Sequence, residues 1–435
     1  NRHTLALAAP IIAGYVGQML MGWADTIMVG RVGVVPLAAC AFANTVLAVP
    51  FVFGFAVLSS VSVRASLAFG SGRARIAGES LRAGFAVGAG LGAFVAIAIH
   101  GALPFLPWLG QGNDVTATSR NFLALCSWSA VPLFLTTAAK NFCEALSRPW
   151  VPFWVILGSV VLNVFLNWIF IYGHLGAPAM GLDGAGIATL SARIVAAATI
   201  IVYALVSPSL KRGLPVAWTG KGLTAEVRKL LAIGLPSGGT HLAEISGFAF
   251  GSLMMGWLGA SALAAHQIAI TCAATTFMIP LGLAQAVSVR IGQARGASEK
   301  RRYLPIVFGT LGMTVLIMAV FAVVFMSARA AIAASFVANS AIAALAAQLL
   351  LIAGFFQIFD GIQITSTGAL RGFEDTRAPM FIGIFSYWLV ALPTSYLCAF
   401  KLGFGPPGVW FGFVTGLALA AAALVSRLLL RVRHA

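Results

Sequence analysis

Charge is what this sequence has least of. Only 9% of its 435 residues are charged, while 60% are hydrophobic; an average soluble domain carries roughly 25% charged residues. A soluble chain of this length needs far more polar surface. The composition therefore excludes one and predicts a polytopic membrane protein with almost no soluble domain. Cysteine is scarce and scattered: Cys40, Cys126, Cys143, Cys272 and Cys398 form no CxxC pair. That excludes a disulfide framework and a zinc site. Nucleotide chemistry is missing too. There is no Walker motif, GxSxG or kinase signature, and Gly-rich runs such as GAGLGAF lack the strand–helix setting of a nucleotide fingerprint. With no motif for spending ATP, energy has to come from an ion or concentration gradient. An enzyme is the weakest reading, since no nucleophile stands beside a base. The chain opens on Asn1 rather than Met, so a few terminal residues are expected to be absent, and no cleavable signal peptide is visible.

Acidic residues are the second shortage. Eleven Asp and Glu face 27 Lys and Arg, a formal charge of +16. Such a balance can serve nucleic acid, but these charges are spread over short loops, as the positive-inside bias of membrane proteins predicts. No nucleic-acid partner is expected.

What is present is apolar runs. A spanning helix needs about 20 mostly apolar residues, and breaking the chain at charges and Gly/Pro clusters gives twelve. They are 5–30, 37–64, 77–103, 116–146, 150–173 and 184–206, then 226–258, 262–289, 303–327, 342–371, 378–401 and 406–430. Pro50, Pro280 and Pro393 lie inside spans and predict kinks. The segment SPSLKRGLPVAWTGKGLTA, 207–225, reads as a cytoplasmic linker between a bundle over 1–206 and a second over 226–435. Of the Lys and Arg, Arg31, Arg120, Arg329 and Lys401 fall on one side and Arg193 within a span. All the others fall on the side of both termini, which places the termini in the cytoplasm. A multi-pass protein of the bacterial inner membrane is expected, in contact with the lipid bilayer and working as a monomer.

The two sets of spans are copies. Adding 226 to a first-half position takes Leu5-Ala6 to Leu231-Ala232, Pro10 to Pro236, Gly33 to Gly259, Val61-Ser62-Val63-Arg64 to Val287-Ser288-Val289-Arg290, and Gly70 to Gly296. Six is even, so both copies have the same orientation, related by a pseudo-twofold axis along the membrane normal. The fold class is an all-α membrane protein of twelve transmembrane helices in two six-helix bundles. Two similar bundles leave a cleft, with substrate held near the midplane.

Three acids fall inside spans: Asp25, Glu244 and Asp360. Asp360 opens a polar run in an oily helix, followed by Gln363, Thr365, Ser366 and Thr367. A charge at the bilayer centre costs about 2.5–3.5 kcal/mol by insertion scales, and is a functional hypothesis by default. The alternative is a structural carboxyl bonded between helices. Glu244 aligns with Gln18 and Asp25 with Gly251, so the copies share a fold but not their acids. In the first copy, Asn163 and Asn167 stand at i, i+4 on one helix face. With a carboxylate they offer oxygen ligands for a hard cation such as Na+, and Thr189 can add a hydroxyl; helix-to-helix glue is the equal alternative. His241 and Glu244 make an HxxE pair, weak as a metal site. His266 and Gln267 are polar residues that either line the cleft or cap a helix, and Gln18 and His241 are further candidates for the cleft lining. Phe248, Phe355, Phe356 and Phe359 can add cation–π contacts where they face inward.

These segments, MGWADTIMVGRVG, HLAEISGFAFGSLMMGWLGASALAAHQIA and FQIFDGIQITSTGALRGFEDTRAP, resemble the multidrug and toxic compound extrusion (MATE) family, most of all its NorM branch. The resemblance covers essentially the whole chain. It implies a V-shaped pair of bundles that exports small organic cations in exchange for Na+ or H+, with no other cofactor. It also implies that Glu244 and Asp360 take part in cation binding in the second lobe, and that Asp25, Asn163, Asn167 and Thr189 form a site in the first. One departure stands out. Some relatives carry a tyrosine one turn before the second-lobe aspartate, where this chain has Phe356. A lipid-linked precursor flippase of the same broad architecture is the alternative reading; it should carry basic groups for phosphates in its cleft, and this chain carries acids. A gated channel without exchange is the third.

Overall fold

A computed structural model describes residues 2–110, 112–207, 210 and 222–434. Most of the expected linker, residues 208–209 and 211–221, lies outside the described residues. Every described regular element is helical: α1 (Arg2–Gly30), α2 (Val34–Gly70), α3 (Ala74–Ala102), α4 (Asn113–Trp128), α5 (Ala130–Ala145), α6 (Trp150–Tyr172), α7 (Gly181–Val206), α8 (Leu223–Trp257), α9 (Ala260–Gly296), α10 (Tyr303–Phe336), α11 (Ser340–Gly372), α12 (Arg377–Lys401) and α13 (Pro406–His434), with short 3-10 turns at Leu103–Leu109 and Lys300–Arg302. Eleven helical segments among the described residues, α4 and α5 counting as one, are long and apolar enough to cross a membrane. The remaining one, α8, forms at full length, 35 residues. It falls outside that set because Glu226, Arg228, Lys229, His241 and Glu244 dilute its apolar surface. The chain is a multi-pass membrane protein.

Helix boundaries differ from the sequence expectation where a charge has a partner. The expected ends at 64 and 289 are overrun, and α2 and α9 continue to Gly70 and Gly296. Arg64 bonds Glu226 through Nε at 3.1 Å and Nη2 at 2.6 Å, and Arg290 donates through Nη1 to Thr4 Oγ1. A satisfied guanidinium has no need of a loop. The expected end at 327 is likewise passed, because 328–336 is rich in alanine, the strongest helix former, and α10 runs on to Phe336.

Prolines explain the irregularities. The span 116–146 is broken at Ser129 into α4 and α5. Pro132 has no N–H to bond the Trp128 carbonyl one turn back, and the Ser129 hydroxyl donates to Cys126 O at 2.6 Å. In α12, Pro393 lies between two π turns, Phe385–Ala391 and Leu397–Lys401. By contrast α2 and α9 remain helical through Pro50 and Pro280.

The duplication is visible in the backbone. Helices α2 and α9 are both 37 residues long and start and stop at positions 226 apart. Gly72 and Ser298, also 226 apart, both adopt positive φ just beyond them, 71° and 57°. A left-handed residue after a helix end satisfies its last carbonyls.

Two compact units result: Ala13–Gly238, and Asn1–Ile12 with Gly239–Ala435. The first turns of α1 thus belong with the second copy, and the first half of α8 with the first. In the first unit α3 packs on α5 and α6 on α7; in the second, α11 packs against α9, α10 and α13. Small residues let these backbones approach, as membrane helices require when lipid offers no hydrophobic drive. A Cβ on Gly92 would stand 2.6 Å from Val131 Cα, and one on Gly372 would stand 2.7 Å from Ser288 O.

Candidate functional site

Within the unit Ala13–Gly238, three helices carry one polar ring. Asp25 projects from α1, Asn163 and Asn167 from α6, and Thr189 from α7. Asn167 Nδ2 donates to Asp25 Oδ1 at 2.6 Å and to Asn163 Oδ1 at 3.2 Å. Asn163 Nδ2 donates to Thr189 Oγ1 at 3.3 Å. Thr189 Oγ1 closes the ring on Asp25 Oδ2 at 3.5 Å. The i, i+4 spacing of the asparagines on α6 is what aims both amides at α1. Asn163 and Asn167 are fully buried and Asp25 half-buried. One oxygen is left over: among the described residues Asn167 Oδ1 has no hydrogen-bond partner. A carboxylate, two amide carbonyls and a hydroxyl form a set of hard oxygens suited to a small cation.

Arg193 belongs to this neighbourhood. It lies one turn beyond Thr189 on α7, and its charge bears on Asp25. Nη1 donates to Ser129 Oγ at 2.5 Å, and the guanidinium sits 5.2 Å from the Phe51 ring centroid. The rule that marks intramembrane acids as informative applies equally to an intramembrane arginine, and that signal is present in the sequence.

The second unit holds the other acids. Glu244 on α8 is buried, with Oε2 3.3 Å from His241 Nδ1 one turn earlier. Asp360 on α11 is buried, and its Oδ1 lacks a partner among the described residues. The two carboxyls are close enough for the charge of Glu244 to bear on Asp360. Aromatic rings pack beside them. Phe248, one turn beyond Glu244, lies 5.9 Å from Phe356, 5.8 Å from Tyr387 and 5.1 Å from Phe413, ring centroid to centroid. Phe356, one turn before Asp360, also meets Trp410 at 5.4 Å. His266 is fully buried; its Nε2 pairs with Ser252 Oγ at 3.0 Å and its ring lies against Trp410 and Phe413. Gln357 Oε1 accepts from Thr276 Oγ1, while its Nε2 has no partner among the described residues.

Not every expected residue joins these groups. Gln18 is half-buried two turns before Asp25, Gln267 and Phe355 are exposed, and Phe359 is half-buried against the second unit's core. In compensation come Tyr387, Trp410 and Phe413, which sequence reading passed over. An aromatic in a membrane chain is ordinary, and only tertiary packing sets these three apart.

The MatE family model matches residues 10–169 and 236–397; the two matches begin 226 residues apart, at Pro10 and Pro236, in step with the internal repeat. The chain belongs to the MatE family, in its NorM branch. It is 35% identical to "Probable multidrug resistance protein NorM" of Rhizobium meliloti, with 100% of this chain and 95% of the relative covered. A relative of the same name in Agrobacterium fabrum is 32% identical, with 100% and 94% covered. The fold is shared with the Vibrio cholerae MATE transporter VcmN in the bent form, at a TM-score of 0.87 and 20% identity over 100% of this chain and 97% of that one.

Proposed function

We propose that this chain is a secondary active multidrug efflux transporter, exporting organic cations in exchange for Na+ or H+ by alternating access. The NorM relatives, named as multidrug resistance proteins, support the class. The chemistry is supported by one observation: each unit keeps an intramembrane carboxyl, half-buried Asp25 and buried Asp360, with an oxygen that has no partner among the described residues, Asn167 Oδ1 near Asp25 and Oδ1 of Asp360 itself. Two nearby acids such as Glu244 and Asp360 repel when both are ionised. A proton or Na+ relieves that repulsion, and so does an organic cation. The two guests therefore compete for one negative charge. Competition becomes exchange when each guest favours a different state of the protein, and each charge that crosses is worth about 2.3 kcal/mol per 100 mV.

In the first unit Na+ would be held by Asp25, Asn163, Asn167 and Thr189; in the second, the cation would sit at Glu244 and Asp360, with Phe248 and Phe356 offering ring faces to an organic guest. The Lys and Arg bias supports insertion in the bacterial inner membrane with both termini cytoplasmic. The test is fluorescent organic-cation efflux from proteoliposomes by wild type, Asp25→Asn, Glu244→Gln and Asp360→Asn, with Na+ and H+ gradients imposed separately. At least one gradient should drive wild-type export, and each variant should lose tenfold or more, the order expected when a charged hydrogen-bonding partner is removed. Normal pumping by all three variants sinks the assignment, and lipid scrambling without dye export would favour the flippase.

A further inference from the structure

With Phe356, α11 has no hydroxyl one turn before Asp360, and α12 brings a phenol to the same ring cluster. Tyr387 lies in the π turn Phe385–Ala391. Such turns are rare in helices and recur at functional sites. Tyr387 is 2% exposed, and its buried hydroxyl lies beside the Glu244 carboxyl, close enough to interact with it but without a well-formed hydrogen bond among the described residues. A buried phenol usually finds a partner.

Its position is fixed from the helix that carries Glu244. Trp388, the next residue, donates Nε1 to Ser246 Oγ at 3.1 Å. Gly247 leaves room for the Tyr387 side chain, since a Cβ there would stand 3.2 Å from Tyr387 Cβ. The ring of Tyr387 meets Phe248 at 5.8 Å. Residues 246–248, the turn after Glu244, thus clamp Tyr387 and Trp388. From α11, Phe356 reaches the same Phe248 ring at 5.9 Å, one turn before Asp360. The phenol is near enough for the charges of Glu244 and Asp360 to bear on it, Glu244 being within hydrogen-bonding reach, and Asp360 Oδ1 has no partner among the described residues.

We infer that Tyr387 is the third oxygen donor of the Glu244–Asp360 site: its phenol oxygen faces the inorganic cation held by the two acids, and its O–H donates to a carboxylate once that cation has left. The chemistry is that of a monovalent cation held by two carboxylates and a hydroxyl, all hard oxygens. The inference rests on the proposed reading that these acids carry the coupling cation.

The test uses the full chain in proteoliposomes. The cation that drives wild-type dye export is first identified with separate Na+ and H+ gradients, and its half-saturating concentration is measured. Tyr387→Phe keeps the ring and deletes the oxygen. Its half-saturating concentration should rise about tenfold with maximal export within about twofold of wild type, as for the loss of one hydrogen bond to a charged group. Adding Phe356→Tyr returns a hydroxyl to the same ring cluster and should recover most of the loss, which a defect of packing alone would not. An unchanged half-saturating concentration in Tyr387→Phe, or a fall confined to maximal rate that Phe356→Tyr leaves untouched, overturns the inference. Asp360→Asn separates the levels. If it pumps like wild type, the acid-site reading itself fails. If it abolishes coupling while Tyr387→Phe is silent, only the role of the tyrosine falls.

Discussion

Lys140 and Glu144 illustrate what a charge inside this bundle demands. Lys140 Nζ lies 2.9 Å from Glu144 Oε1, with side chains 6% and 1% exposed, and Nζ also sits 4.8 Å from the Tyr15 ring centroid. Removing one member of a buried pair costs about 3–5 kcal/mol, because the other charge stays in a low dielectric, while replacing both is often neutral. Lys140→Met should therefore lower the thermal midpoint in detergent strongly, and Lys140→Met with Glu144→Leu should restore most of it. Equal midpoints for the single and double variants would show that the pair is solvated in practice. The first-unit ring permits a second expectation at this scale. Asn167→Leu removes the donor to Asp25 together with the partnerless oxygen, so export should fall by about tenfold while the midpoint changes less than in Lys140→Met. At the residue level the sequence was informative wherever a charge or amide stood in oil. Asp25, Asn163, Asn167, Glu244 and Asp360 could be picked out that way, and Arg193 could have been. Tyr387 and Trp410 could not, because their significance is a matter of which helices meet.

Helix contacts in this fold are made through absent side chains. On α11, a Cβ at Gly368 would collide with the Ala284 carbonyl of α9, and one at Gly372 would stand 2.7 Å from Ser288 O and 2.9 Å from Ile291 Cβ. Backbone atoms cannot turn aside as side chains do. Gly368→Ala or Gly372→Ala should destabilise by about 1–3 kcal/mol, the usual result of overpacking. Gly90→Ala in α3 meets nothing within 4 Å and should stabilise by about 0.5–1 kcal/mol, because alanine restricts the unfolded chain. Thermal midpoints of the three variants measure this, and a uniform sign would refute the packing argument. The existence and order of the helices were legible because membrane spans are written as apolar runs of a set length. Their ends were less so. Arg64 and Arg290 read as stops and are helical, since each has a partner distant in sequence, whereas the break at Ser129 needed Pro132 to be weighed as a missing donor.

For the molecule as a whole, the repeat explains which contacts matter. Arg64 and Arg290 occupy the same repeat position, and each holds the opening turns of the helix that starts the other copy. Arg64 binds Glu226 of α8, and Arg290 binds Thr4 of α1. That exchange of helix starts, which puts Asn1–Ile12 with Gly239–Ala435, could not be read from a hydropathy pattern, since it depends on partners more than 160 positions away. The two contacts also differ in kind. Arg64–Glu226 is an ion pair with side chains 16% and 8% exposed, while Arg290 meets a neutral hydroxyl. Both bonds are made by a charged guanidinium, but removing Arg64 takes from the buried Glu226 carboxylate its closest cation, and an under-paired buried charge costs more than an unpaired hydroxyl, so Arg64→Met should destabilise more than Arg290→Met. Salt screens exposed charges over a Debye length of about 8 Å at physiological ionic strength and partly buried ones less, so the Arg64 pair, largely but not wholly buried, should feel it in part. The gap between the two variants' thermal midpoints should accordingly narrow from low salt to about 1 M NaCl, where the Debye length is about 3 Å, while the Arg290→Met midpoint keeps its distance from wild type. If the gap is absent at low salt, or widens as salt is added, the repeat-related arginines are doing the same work by the same means, and the asymmetry between the two halves lies in their acids alone.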